Sequence, residues 1–158
     1  MQTFSNMQRN LTYQNFISYI LWTLFFTGYI CLSSIYTLLP PMVGVLLVLF
    51  DKALKKNNSL LLFFIVISII ILETQKGFLA FSLLVFFLLA HKYIIPKINQ
   101  DINAHKVRNF LYVFIAYIGY IAFTNLISQI FILENLHINI LYITFYIIVE
   151  YFIVSIFL

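Results

Sequence analysis

Residues 60–72 read LLLFFIVISIIIL, residues 73–77 read ETQKG, and residues 78–90 read FLAFSLLVFFLLA. The stretch is either one long helix or two helices that turn back at ETQKG. Charge decides between them. Lys52, Lys55 and Lys56 precede the stretch, and Lys92, Lys97, Lys106 and Arg108 follow it. One helix would put these two basic groups on opposite sides of a membrane. Two helices put both on the same side, as the positive-inside rule requires. The stretch is therefore read as two spans joined by a polar turn.

Composition makes a membrane the medium. The 158 residues are 63% hydrophobic and 9% charged, with a mean hydropathy of +1.02. A soluble domain of this size cannot hide so much apolar surface, because its surface-to-volume ratio is too high. A soluble enzyme, a disordered segment and a disulfide scaffold are excluded on that ground. The single cysteine, Cys31, cannot form an intrachain disulfide. The apolar run after Arg9 is too long for a signal-peptide core and lacks a small-residue exit, so the first span is expected to be retained.

Working outward, the breakers divide the chain into six apolar runs, giving expected spans at about 16–39, 41–56, 60–73, 77–95, 110–133 and 138–158. The expected fold is an all-α, polytopic helical bundle forming one membrane domain. A bilayer core of roughly 30 Å needs about 20 helical residues. Spans one, five and six meet that. The middle three are short, and the expectation is that flanking lysines snorkel and extend them. In the competing reading, the 73–77 turn lies below the membrane surface, buried in the bundle.

Six spans with both termini in the cytoplasm put Arg9, Lys52, Lys55, Lys56, Lys92, Lys97, Lys106 and Arg108 inside, eight of the nine basic residues. Only Lys76 falls outside. The 91–109 segment is expected as a solvated charged loop, with an amphipathic interfacial helix as the other reading. Pro40-Pro41 reads as punctuation between spans one and two. Gly28, Gly44 and Gly119 mark candidate close helix contacts.

Catalytic chemistry is thinly represented. His91, His105 and His137 are far apart and make no i,i+4 pair with another ligand, so no metal site is expected. With four glycines in the chain there is no glycine-rich phosphate loop. No cofactor, enzymatic activity or nucleic-acid partner is expected. The informative residues are ionisable or amide groups at membrane depth. Glu73 and Lys76, at i,i+3, are placed to pair on one helical turn. Thr124, Asn125, Ser128 and Gln129 form a polar patch on span five at the same outer depth. Glu73, Lys76, Asn125 and Gln129 are therefore a candidate partner or ligand contact, with plain interhelical hydrogen bonding as the alternative. Glu150, twelve residues into span six, is a functional candidate by its cost alone. Protonation, pairing with a basic residue of 91–109, or contact with another subunit would each account for it.

The middle of the chain resembles the bacterial rod-shape-determining protein MreD family. The residues that carry this are Leu39-Pro40-Pro41-Met42 before a short span, then 72–82, LETQKGFLAFS. An acidic residue at a span's end, a short polar turn and a glycine opening the next run match at Glu73 and Gly77. The family more often has aspartate at the acidic position. The resemblance covers 40–96, about a third of the chain. It implies a non-enzymatic scaffold of the cell-elongation machinery, in the bacterial inner membrane. The implied partners are MreC-like and MreB-like proteins and the elongation transpeptidase and glycosyltransferase, besides membrane lipid. The alternative is a six-span substrate-binding subunit of a vitamin or small-molecule transporter, with the outer polar cluster as its pocket.

Overall fold

The computed structural model describes residues 3–36, 38–102, 104–131 and 140–157. Side-chain surroundings are described from residue 17 onward, apart from 105, 130, 131 and 157. Every described secondary-structure element is helical: α1 (Thr3–Ile35), α2 (Val43–Lys55), α3 (Ser59–Lys76), α4 (Ser82–Leu89), α5 (Ile95–Asp101), α6 (His105–Phe114), α7 (Tyr120–Phe131) and α8 (Ile140–Phe157). A π turn, Ala90–Ile94, fuses α4 to α5, and a second, Ile115–Gly119, fuses α6 to α7. The result is six rods. The expected outer turn at 134–137 lies outside the described residues.

Among the described residues, four stretches are long and apolar enough to cross a membrane: Ile17–Ile35, Ser59–Lys76, Ser82–Asp101 and Lys106–Gln129. These are the marks of a membrane protein. α8 is equally apolar and falls just short by length. α2 does not qualify, with only 13 residues, about 20 Å of helical rise.

α2 is nevertheless the centre of the bundle. Val43 to Val48, Phe50, Asp51 and Ala53 are all buried. Helices α3, α6 and α8 and the second π turn pack around it. A helix apolar on every face belongs inside, where it meets other side chains all round. α1 is the opposite case. It packs chiefly on α3, and Leu21, Trp22, Leu24 and Phe25 are each more than three-fifths exposed. Such a surface is tolerable only against lipid or another apolar helix.

One expectation is corrected. The segment 91–109 is not a solvated loop: helix runs through to Asp101 and resumes at His105. Pro96 is accommodated in the first turn of α5, where its missing N–H costs least. The π turn before it absorbs the offset, with the Ile95 N–H donating to the carbonyl of Ala90. The second expected span, 41–56, contains α2. Helix continues to Lys55, and Asp51 is buried within it.

α3 has self-contained ends. Asn58 caps its start, its side chain accepting from the Leu61 N–H at 3.2 Å. Gly77 closes it with a φ of 67°, a left-handed conformation that glycine adopts without Cβ strain. α2 and α4 differ. Each is entered through a non-glycine left-handed residue, Met42 (φ 59°) and Phe81 (φ 62°), with no side-chain cap of its own.

Burial of α2 has a direct consequence. Leu47→Ala, at a fully buried position, should cost about 2–5 kcal/mol, while Leu21→Ala on the outer face of α1 should be close to neutral. Thermal unfolding of the two variants in detergent checks this. Equal losses would contradict a central α2.

Candidate functional site

The first turn of a helix carries N–H groups with no intrahelical partner. In water they are solvated; inside an apolar bundle each one left unpaired costs several kcal/mol. At α2 the partner comes from far along the chain. The Glu150 side chain is fully buried. Its Oε2 accepts from the N–H of Gly44 at 2.7 Å and from that of Val45 at 3.3 Å. Its Oε1 accepts from the Tyr117 hydroxyl. Three donors on one buried carboxyl group satisfy both ends of the contact. The positive end of the helix dipole points the same way.

Glycine at position 44 makes this approach feasible. A Cβ there would lie 2.7 Å from Glu150 Oε2, 3.0 Å from Val113 Cγ1 and 3.1 Å from Val113 Cα. Tyr117 belongs to the second π turn. Pro40 and Pro41, expected to be mere punctuation, are buried here. The Tyr29 hydroxyl donates to the Pro40 carbonyl at 2.8 Å. Glu150 is ten residues into α8, about 15 Å along it. The entry to α2 therefore sits beside the middle of α8, not at its end. That explains how a 13-residue helix fits the bundle.

Glu73 repeats the arrangement at α4. It is buried, and its Oε2 accepts from the Phe81 N–H at 2.8 Å while Oε1 accepts from the Leu83 N–H at 2.6 Å. The next contact outward is Ser82 Oγ with the Tyr120 hydroxyl, 2.8 Å apart. Lys76 supplies the complementary chemistry at a C-terminus. Its Nζ donates to the carbonyl of Ser33, in the last turn of α1, at 2.6 Å.

The expected cluster is thus divided. Glu73 and Lys76 do not pair with each other: they face away, one to α4 and the other to α1. Thr124 and Ser128 donate to carbonyls of their own helix, those of Ile121 and Asn125. Asn125 is half-buried and Gln129 exposed. The α7 residue with its hydroxyl on Ser82, beside Glu73, is Tyr120. For Glu150, the contact is a helix N-terminus and a tyrosine rather than a base from 91–109. Of the glycines, Gly44 and Gly119 are close contacts, whereas nothing lies within 4 Å of a Cβ at Gly28.

Sequence reasoning missed the opposite end of α2. Asp51 accepts from Lys55 Nζ at 2.6 Å and meets His91 Nδ1 at 2.9 Å. His91 lies in the first π turn. Each π turn therefore delivers one side chain to an acid that anchors α2: His91 to Asp51, Tyr117 to Glu150. The Asp51–Lys55 spacing of i,i+4 was legible. The approach of His91 was not.

A cavity of about 260 Å³ adjoins the Glu150 contact, lined by Lys76, Phe78, Tyr117, Tyr120 and Tyr146 among others. Its lining is mostly apolar, with four aromatic rings. Lys76 is committed to Ser33, Tyr117 to Glu150 and Tyr120 to Ser82. Comparison with protein-family models, with characterised proteins and with solved structures finds no match for the chain.

The packing at Gly44 makes a sharp contrast available. Gly44→Leu should lower the melting temperature by roughly 5–10 °C, through overpacking and displacement of Glu150. Gly28→Leu should leave it within about 2 °C. Differential scanning of both purified variants decides, and a tolerated Gly44→Leu would contradict the contact.

Proposed function

We propose that the protein is a non-enzymatic scaffold of a bacterial inner membrane, acting in the cell-elongation machinery as an MreD-like subunit. One observation carries the scaffold reading. Glu73, Lys76 and Glu150, the ionisable groups of the candidate site, are all spent on helix ends of this same chain. Each bonds backbone groups of the chain itself, so the chemistry invested at membrane depth goes into holding a shape. The broad apolar face of α1 then serves contact with lipid and with a partner's transmembrane helix. Partners on this reading are MreC-like and MreB-like proteins and the elongation transpeptidase and glycosyltransferase. The elongation assignment itself rests on the likeness of residues 40–96 to that family.

The same reading takes the chain as crossing six times, N-in/C-in, with α2 the helical part of the second crossing. Support comes from the basic residues. Lys52 and Lys55 of α2 and Arg108 of α6 line one cavity, so two groups far apart in sequence share one end of the bundle. The transporter reading draws less support. The 260 Å³ cavity is below the ~300–1,000 Å³ of sites that enclose a drug-sized ligand, and its lysine is already engaged.

Depletion of the protein in a rod-shaped or helical host should produce round cells, scored by microscopy. Retained shape, with a vitamin co-purifying and a vitamin requirement in the depleted strain, would replace the scaffold by the transporter. Independently, a reporter fused after Leu158 should register in the cytoplasm. A periplasmic signal would overturn the topology.

A further inference from the structure

At the basic end of the bundle lies a second cavity, of about 200 Å³, between the last turns of α2, α5 and the start of α6. Its walls include Lys52, Lys55, Arg108, Asn99, Asn109 and Tyr112, with Asp51 behind them. Three cations thus face one carboxylate, and that carboxylate is already held by Lys55 and His91. Arg108 makes no ion pair or hydrogen bond among the described residues, although it is half-buried. Asn109 is only 7% exposed, yet its amide has no hydrogen-bond partner among the described residues. That amide lines the cavity, where a group from outside the chain can bond to it. The Tyr112 hydroxyl donates to Asn99 Oδ1 at 2.9 Å, which leaves the Asn99 amide as an N–H donor. The cavity is therefore donor-rich and cationic, the chemistry that recognises a phosphate.

Size and setting narrow the source. The volume suits a single phosphate group rather than a drug-sized ligand. Val107, Phe110 and Phe114 leave apolar surface exposed along the same helix, a path for an acyl chain beside the charged mouth. Basic pockets between membrane helices are suited to anionic headgroups.

We propose that this cavity binds the phosphate group of an anionic lipid headgroup. The inference is independent of the elongation reading. Arg108 and Lys52 supply the charge, and Asn109 and Asn99 orient the phosphate oxygens.

Thermal unfolding of the purified full-length protein in detergent, titrated with phosphatidylglycerol, tests it. A saturable rise in melting temperature is expected, with little rise from zwitterionic phosphatidylcholine. The midpoint should move to about tenfold higher lipid in Arg108→Gln and in Lys52→Gln, the loss of one charged hydrogen bond. Lys97→Gln, at an exposed position outside the cavity, should stay within about twofold. Arg108→Gln breaks no internal bond, so its lipid-free melting temperature should be unchanged, which separates lost binding from lost folding. Unchanged midpoints in both cavity variants would overturn the proposal, as would an equal loss in Lys97→Gln, which would mean diffuse surface attraction. A rise with phosphatidylcholine matching that with phosphatidylglycerol would overturn the anionic requirement. An equal rise with inorganic phosphate alone would assign the cavity to free phosphate and overturn the lipid.

Discussion

A helix end inside an apolar medium must find partners for its free backbone groups, and there is no water to supply them. The bundle is arranged around that constraint. α2 and α4 begin where the protein is packed, each through a left-handed Met42 or Phe81 that brings no cap of its own. Glu150 and Glu73 reach across to serve them. Lys76 does the same for the last turn of α1. Three charged residues that would be expensive in lipid are inexpensive here, because each closes a backbone deficit that would otherwise stand open.

The packing follows from these contacts. With its entry held by Glu150 and its exit by Asp51, α2 is pinned at both ends while α3, α6 and α8 close around it. A 13-residue helix can then occupy the centre of the bundle. The π turns belong to the same scheme. Each widens its helix at the level where a side chain has to reach α2, a recurrent use of π turns at functional positions. Outside this frame the surface is apolar and broad, most of all on α1. A rigid interior and an apolar exterior suit a protein whose work is contact.

Much of this was legible in the residues. The apolar runs give all six rods, and the ETQKG turn gives the break between α3 and α4. Glu73, Lys76 and Glu150 stand out because charge at membrane depth needs a reason. Their partners did not show, because a carboxyl group on a backbone N–H leaves no mark on the partner's side chain. Glu73 and Lys76 looked like a pair from spacing alone, yet spacing describes one helix and their partners lie on two others. Gly44 was legible as a close contact, but not what approaches it. The 91–109 segment misled for a different reason: its charges resemble a loop, while its helix extends past the apolar run with the lysines turned outward.

The most direct test of the remote cap is a double-mutant cycle between Glu150 and Tyr117. Glu150→Gln, Tyr117→Phe and the double variant are compared with the parent by thermal unfolding in detergent. The two single losses should not add, with a coupling of at least about 1 kcal/mol between the groups, because both act on one carboxyl group. Losses that sum within ~0.3 kcal/mol would contradict the account, since Glu150 would then be stabilising the bundle without the shared contact that holds the entry of α2.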